Sequence, residues 1–104
     1  MTFSELVGGM DDALLRALGT DVTYTTRLGV SSTIRGILET GVEAEEKAPG
    51  VYAALFVRSA SFTSPPQRGE EIAIGASLYK IVDIHADGEG ASRLLLRFDR
   101  EVIS

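Results

Sequence analysis

One histidine occurs in the chain, His85, and aspartates stand two residues to either side of it, Asp83 and Asp87. Histidine is the side chain most often used for general acid–base catalysis, and a neighbouring carboxylate can orient its ring. Such a pair needs a nucleophile or a substrate proton within reach, and no candidate nucleophile pairs with it in the sequence. A metal centre would need further imidazoles or thiolates, but His85 is alone and there is no cysteine. A histidine at the end of a strand, beside a hairpin, ordinarily lies on the surface.

Two other clusters invite a chemical reading. The turn "DGEG" brings glycines and carboxylates together, yet phosphate loops place their glycines between a strand and a helix N-terminus, and here a strand follows. A calcium loop needs about six oxygen ligands within twelve residues, whereas this turn supplies only the carboxylates of Asp87 and Glu89. The stretch "GVEAEEKAPG", residues 41–50, gathers Glu43, Glu45 and Glu46 beside Lys47. Clustered charge alone fixes no coordination geometry, so a metal site is not expected there. A protein-docking loop fits better, because long loops in small domains usually serve a function or are disordered. Catalytic, cofactor and metal sites are therefore expected to be absent. The candidate interaction residues are Glu43, Glu45, Glu46 and Lys47.

The charge balance narrows the partners. With 15 acidic against 10 basic residues, the net charge is −5. Affinity for nucleic acid comes largely from neutralising phosphates, so specific nucleic-acid binding is not expected. The 104 residues are 44% hydrophobic and 24% charged, the balance of a soluble globular domain able to bury one modest core. No apolar run approaches the roughly 18 residues of a membrane span, and "MTFSELVGG" lacks the basic and apolar regions of a signal peptide. The lack of cysteine suits a reducing compartment.

The elements that position these residues follow from periodicity. Phe3, Leu6, Val7, Met10, Leu14, Ala17 and Leu18 recur at spacings of three and four, which predicts a helix over residues 1–19. Thr2 and Glu5 have capping-box spacing, Gly8-Gly9 weakens the middle, and Gly19 stops the helix. The period then becomes two. "DVTYTTR" and "STIRGILET" read as strands, with Gly36 at a bulge or a point of close packing. After a mobile loop over residues 41–50, "VYAALFVRSASF" carries apolar residues on both faces: Val51, Ala53, Leu55 and Val57 on one, Tyr52, Ala54 and Phe56 on the other. This marks a central strand whose second face meets the helix or a partner.

Pro65-Pro66 ends that strand. "EEIAIGA" turns at Gly75-Ala76-Ser77 into "LYKIVDIHA". There Tyr79 and Ile81 share one face and Val82 and Ile84 the other, which predicts a parity switch at a bulge. Asp87-Gly88 signals a hairpin into "SRLLLRFD", with Leu94, Leu96 and Phe98 inward. One helix and about six short strands, joined by connections too short for parallel crossovers, predict a mainly β (α+β) fold. The expected form is an antiparallel sandwich or partly closed barrel in a single domain over residues 1–104.

The order of these motifs resembles a known family. An early "VTY" strand leads to "I-x-G-I", a "P-x-x-G-E" turn follows, and the chain closes with "I-x-I-G-x-x-x-Y-x-I-V-x-I-x-x-D-G-x-G…L-x-L-R". From about Leu14 to Arg97 this is similar to the head–tail joining proteins of phages and prophages, the lambda-type minor capsid or head–tail connector family. The resemblance implies a structural virion protein without catalysis. It further implies a homo-oligomeric ring where the filled head meets portal and tail proteins, and assembly in the bacterial host cytoplasm. A free subunit could be monomeric. Three alternatives stay open on the residues: a small β-barrel that binds a ligand or peptide, another phage neck or tail component, and an enzyme built around His85 with Asp83 or Asp87.

Overall fold

The computed structural model describes residues 12–42, 50–86, 88 and 90–101. The expected helix start, with Thr2, Glu5 and Gly8-Gly9, lies outside these residues, as do Asp87, Glu89 and the loop residues Glu43, Glu45, Glu46 and Lys47. The described helix, α1, is Asp12–Leu18. Gly19 ends it by donating its N–H to the Leu15 carbonyl at 2.7 Å. A Cβ at Gly19 would fall 2.2 Å from that oxygen, so only glycine allows so sharp an exit.

The strands follow in order: β1 Thr20–Thr25, β2 Ser31–Thr40, β3 Tyr52–Arg58, β4 Glu71–Ile74, β5 Ser77–Ala86 and β6 Ala91–Glu101, with a 3-10 turn at Ser59–Ser61 after β3. Every pairing is antiparallel, and the strands close into a barrel in the order β1-β2-β3-β6-β5-β4. Two three-stranded meanders, β1 to β3 and β4 to β6, are thus rolled against each other. Consecutive strands pair within each meander, through short hairpins at β1–β2, β4–β5 and β5–β6 and a longer connection at β2–β3, whereas the β3–β6 and β1–β4 seams join residues far apart in sequence. The fold is mainly β with a short helix on its N-terminal side, as the periodicity predicts, and closure is complete.

Alternation fills the interior. Val22, Tyr24, Ile34, Leu55, Val57, Ile72, Ile81, Leu94 and Leu96 form one buried cluster inside the barrel. A fully buried aliphatic side chain contributes about 1.5–3 kcal/mol relative to exposure, so this cluster is the main source of stability. The two-faced apolar pattern of β3 is resolved by a second layer. Ala54 and Phe56 pack outside the barrel with Ile37 and Ala91, and Leu15 of α1 lies against them. Val51, expected to share the inner face with Ala53, instead precedes β3 and is 64% exposed.

The parity switch in β5 is present. The register steps from Ile81 opposite Leu96 to Asp83 opposite Leu95, leaving Val82 as the extra residue. Tyr79 and Ile81 before it, and Ile84 after it, therefore all pack against the inner cluster. Gly36 is a site of close approach without a bulge: a Cβ there would lie 2.8 Å from the Phe56 carbonyl oxygen and 2.9 Å from both Leu55 Cδ1 and Val57 Cγ1. Phe98 is half-buried and meets Tyr79 edge-on at 5.7 Å.

Candidate functional site

The segment between β3 and β4 runs across one mouth of the barrel, and its sequence shapes that path. Pro65 and Pro66 give up two backbone donors and keep the chain out of the sheet. Gly69, at φ 89°, then makes a turn that side chains rarely permit. Beyond it the backbone rejoins the barrel, with Gly69 N–H donating to the Ile81 carbonyl at 2.8 Å and Ile81 N–H to the Glu70 carbonyl at 2.9 Å.

This turn delivers the Glu70 side chain into the mouth, where it is only 6% exposed. Its Oε1 accepts hydrogen bonds from the Tyr24 hydroxyl at 2.5 Å and from the Gln67 N–H at 2.7 Å. Its Oε2 accepts from the Arg27 N–H at 3.2 Å. One carboxylate therefore ties together β1, the β1–β2 hairpin and the crossing segment. Arg27 adds a second tie by donating from Nη2 to the Arg68 carbonyl. Burial, then the Glu70 hydrogen bond and the Glu70 charge, push the Tyr24 hydroxyl well above its ordinary range. Tyr24 accordingly remains a protonated donor across physiological pH. Three donors to one buried carboxylate make a structural clamp.

Above the clamp opens a cleft of ≈ 600 Å³. Its floor is the Tyr24 ring, held edge-on to Phe62 with centroids 5.0 Å apart. One wall is the β1–β2 hairpin, which carries Leu28 and Val30, and the other is formed by Phe62 to Pro65. The hairpin is braced internally: Thr26 N–H donates to the Val30 carbonyl at 2.9 Å, and Gly29 N–H to the Thr26 carbonyl at 2.9 Å. Leu28 nevertheless stands 92% exposed and Val30 is exposed beside it. A rigid wall that holds large apolar side chains in water is suited to receiving a partner.

The histidine cluster lies elsewhere, on β5. His85 Nε2 is 3.3 Å from Asp83 Oδ2, and Arg68 Nη2 is 3.1 Å from Asp83 Oδ1. The His85 and Arg68 side chains are largely exposed, which describes a surface ion pair of small energetic weight. Among the described residues, no group of three or more His, Cys, Asp or Glu side chains is placed to hold a metal ion. No helix among them is long and apolar enough to cross a membrane.

Sequence reasoning does not single out the residues of the clamp and cleft. Alternation places Tyr24 inward with Val22, and the "P-x-x-G-E" turn marks Gly69 and Glu70. What joins them is a contact between residues 46 apart in sequence, which no local pattern reveals.

The described residues thus form a closed barrel with a buried polar clamp at one mouth and an open, mostly apolar cleft above it. The sequence profile of the phage head-tail attachment protein family matches residues 3–96, and the chain belongs to that family. It is a structural protein of the phage virion, with a part in joining head to tail. Among curated proteins no match is found.

Proposed function

We propose that the chain completes the phage head as a ring of identical subunits and presents the surface on which the tail docks, with no catalytic step of its own. The observation that carries this reading is the family match over residues 3–96. Ring closure is physically natural, since repeated head-to-tail contacts between identical subunits close when the rotation allows. The net charge of −5 suits a passage for DNA that does not bind phosphates tightly. Each contact can be weak alone, so a subunit that is monomeric in dilute solution, within the host cytoplasm, is consistent with assembly on a head. Portal and tail proteins are the partners this role implies. Glu43, Glu45, Glu46 and Lys47 are proposed as a docking element, because this stretch offers charge and little apolar surface to its own barrel.

Deletion of the gene in the parent phage or prophage tests the proposal. DNA-filled heads and complete, separate tails should accumulate, and adding the purified protein should restore joining. Blocked DNA packaging, shortened tails or unchanged infectious particles would refute it.

A further inference from the structure

We propose that the cleft at the Tyr24 mouth of the barrel is the receptor for the N-terminal apolar stripe of a second copy of this chain. The inference rests on the ring reading only in supplying a neighbouring copy.

Two apolar features match. The first is the cleft, with Tyr24 as its floor, Phe62 on one wall and Leu28 and Val30 raised on the other. The second is the stripe of Phe3, Leu6, Val7 and Met10, spaced i, i+3, i+4 and i+7. That spacing is how an amphipathic helix seats itself in an apolar groove.

The helix that follows this stripe, α1, has one side on the barrel and another in water. Leu15 is the residue of α1 packed on its own barrel, against the cluster of Ile37, Ala54, Phe56 and Ala91. The residues that continue the stripe, Ala17 and Leu18, point to water, Leu18 being 54% exposed. At Ala17 and Leu18 the apolar side of α1 is therefore open to a groove on another subunit.

Charge agrees. Residues 1–12 carry Glu5, Asp11 and Asp12 with no lysine or arginine, while the cleft is lined by the exposed Arg27. The Glu70 carboxylate is buried and already accepts three donors, so it presents little opposing charge.

The experiment uses the full chain and a fluorescent peptide of residues 1–12. Anisotropy should show saturable binding, weakened about tenfold or more by Leu28→Asp in the protein or by Leu6→Asp in the peptide. Leu28 is already exposed, so its replacement leaves the fold intact, which circular dichroism verifies. The natural lack of cysteine allows a second readout. A chain carrying both Leu6→Cys and Leu28→Cys should, on oxidation at high concentration, give a ladder of intermolecular disulfides. Absence of peptide binding, binding indifferent to Leu28→Asp, or a purely intramolecular disulfide would each overturn the proposal. None of these assays needs a phage, so their failure is separable from failure of the joining role.

Discussion

Replacing Glu70 with alanine tests whether the clamp holds the barrel mouth together. Hydrogen bonds to a charged acceptor contribute about 1.5–3 kcal/mol each, and Glu70 accepts three. Their sum overstates the loss. The Gln67 and Arg27 N–H groups are part-buried and can turn to water, and the variant no longer has a carboxylate to desolvate. The Tyr24 hydroxyl is buried and loses its acceptor, a penalty of ~1–3 kcal/mol, and the missing side chain leaves a void beneath the crossing segment. The net destabilisation expected is about 3 kcal/mol, equivalent for a domain of this size to a fall in Tm of ~12–20 °C. Thermal unfolding followed by circular dichroism measures it. The double variant Glu70→Ala with Tyr24→Phe should cost clearly less than the sum of the singles, because the two share one buried contact. A fall in Tm below about 3 °C for Glu70→Ala, or strict additivity in the double variant, would refute the clamp.

Further outcomes follow from the same geometry. Gly36→Ala should lower the urea midpoint through a loss of ~1–3 kcal/mol, since the new methyl meets the Phe56 carbonyl and two core side chains. The raised Tyr24 hydroxyl gives stability a defined alkaline limit. Above about pH 10 the unfolded tyrosine ionises while folded Tyr24 does not, so the stability present below that pH is lost as it rises towards the folded value. Urea titrations from about pH 9 to about pH 11 should show this decline, and Tyr24→Phe should flatten it. Replacing Glu43, Glu45 and Glu46 together with serine should leave the unfolding transition in place and impair head–tail joining in the complementation assay. Normal joining by that variant would remove the loop from the docking surface.

What the sequence discloses is what short-range patterns encode. The two-faced apolar run of β3 predicts a covered outer surface, and Leu15 covers it; the shift from Tyr79 and Ile81 to Val82 and Ile84 predicts the bulge. Glycine and proline punctuation marks the hairpins because φ restrictions act on single residues. Closure is different in kind. The β1–β4 seam pairs Thr23 with Ala73 and Tyr24 with Ile72, and neither partner's local pattern specifies the other. The Glu70 clamp is hidden for the same reason: in "GEE" nothing indicates which glutamate turns inward. Alternation puts Val51 on the face of Ala53, Leu55 and Val57, yet it stands exposed because it precedes the point where the β3 ladder begins. The family resemblance adds what periodicity does not, because the order of motifs is specific where each alone is common.

The seam between β1 and β4 has only three residue pairs, against seven between β3 and β6. Parting it would leave the two meanders joined through β3 and β6 and unroll the barrel into a six-stranded ribbon with β1 and β4 as its rims. Such rims expose unpaired N–H and C=O groups that add strands from like molecules without limit. A subunit opened in this way would offer two edges to strand addition by its neighbours. Glu70 stands immediately before Glu71, the last pair of the seam, and its bond to Tyr24 spans the join. The buried carboxylate thereby works as a fastener across the shortest seam of the barrel.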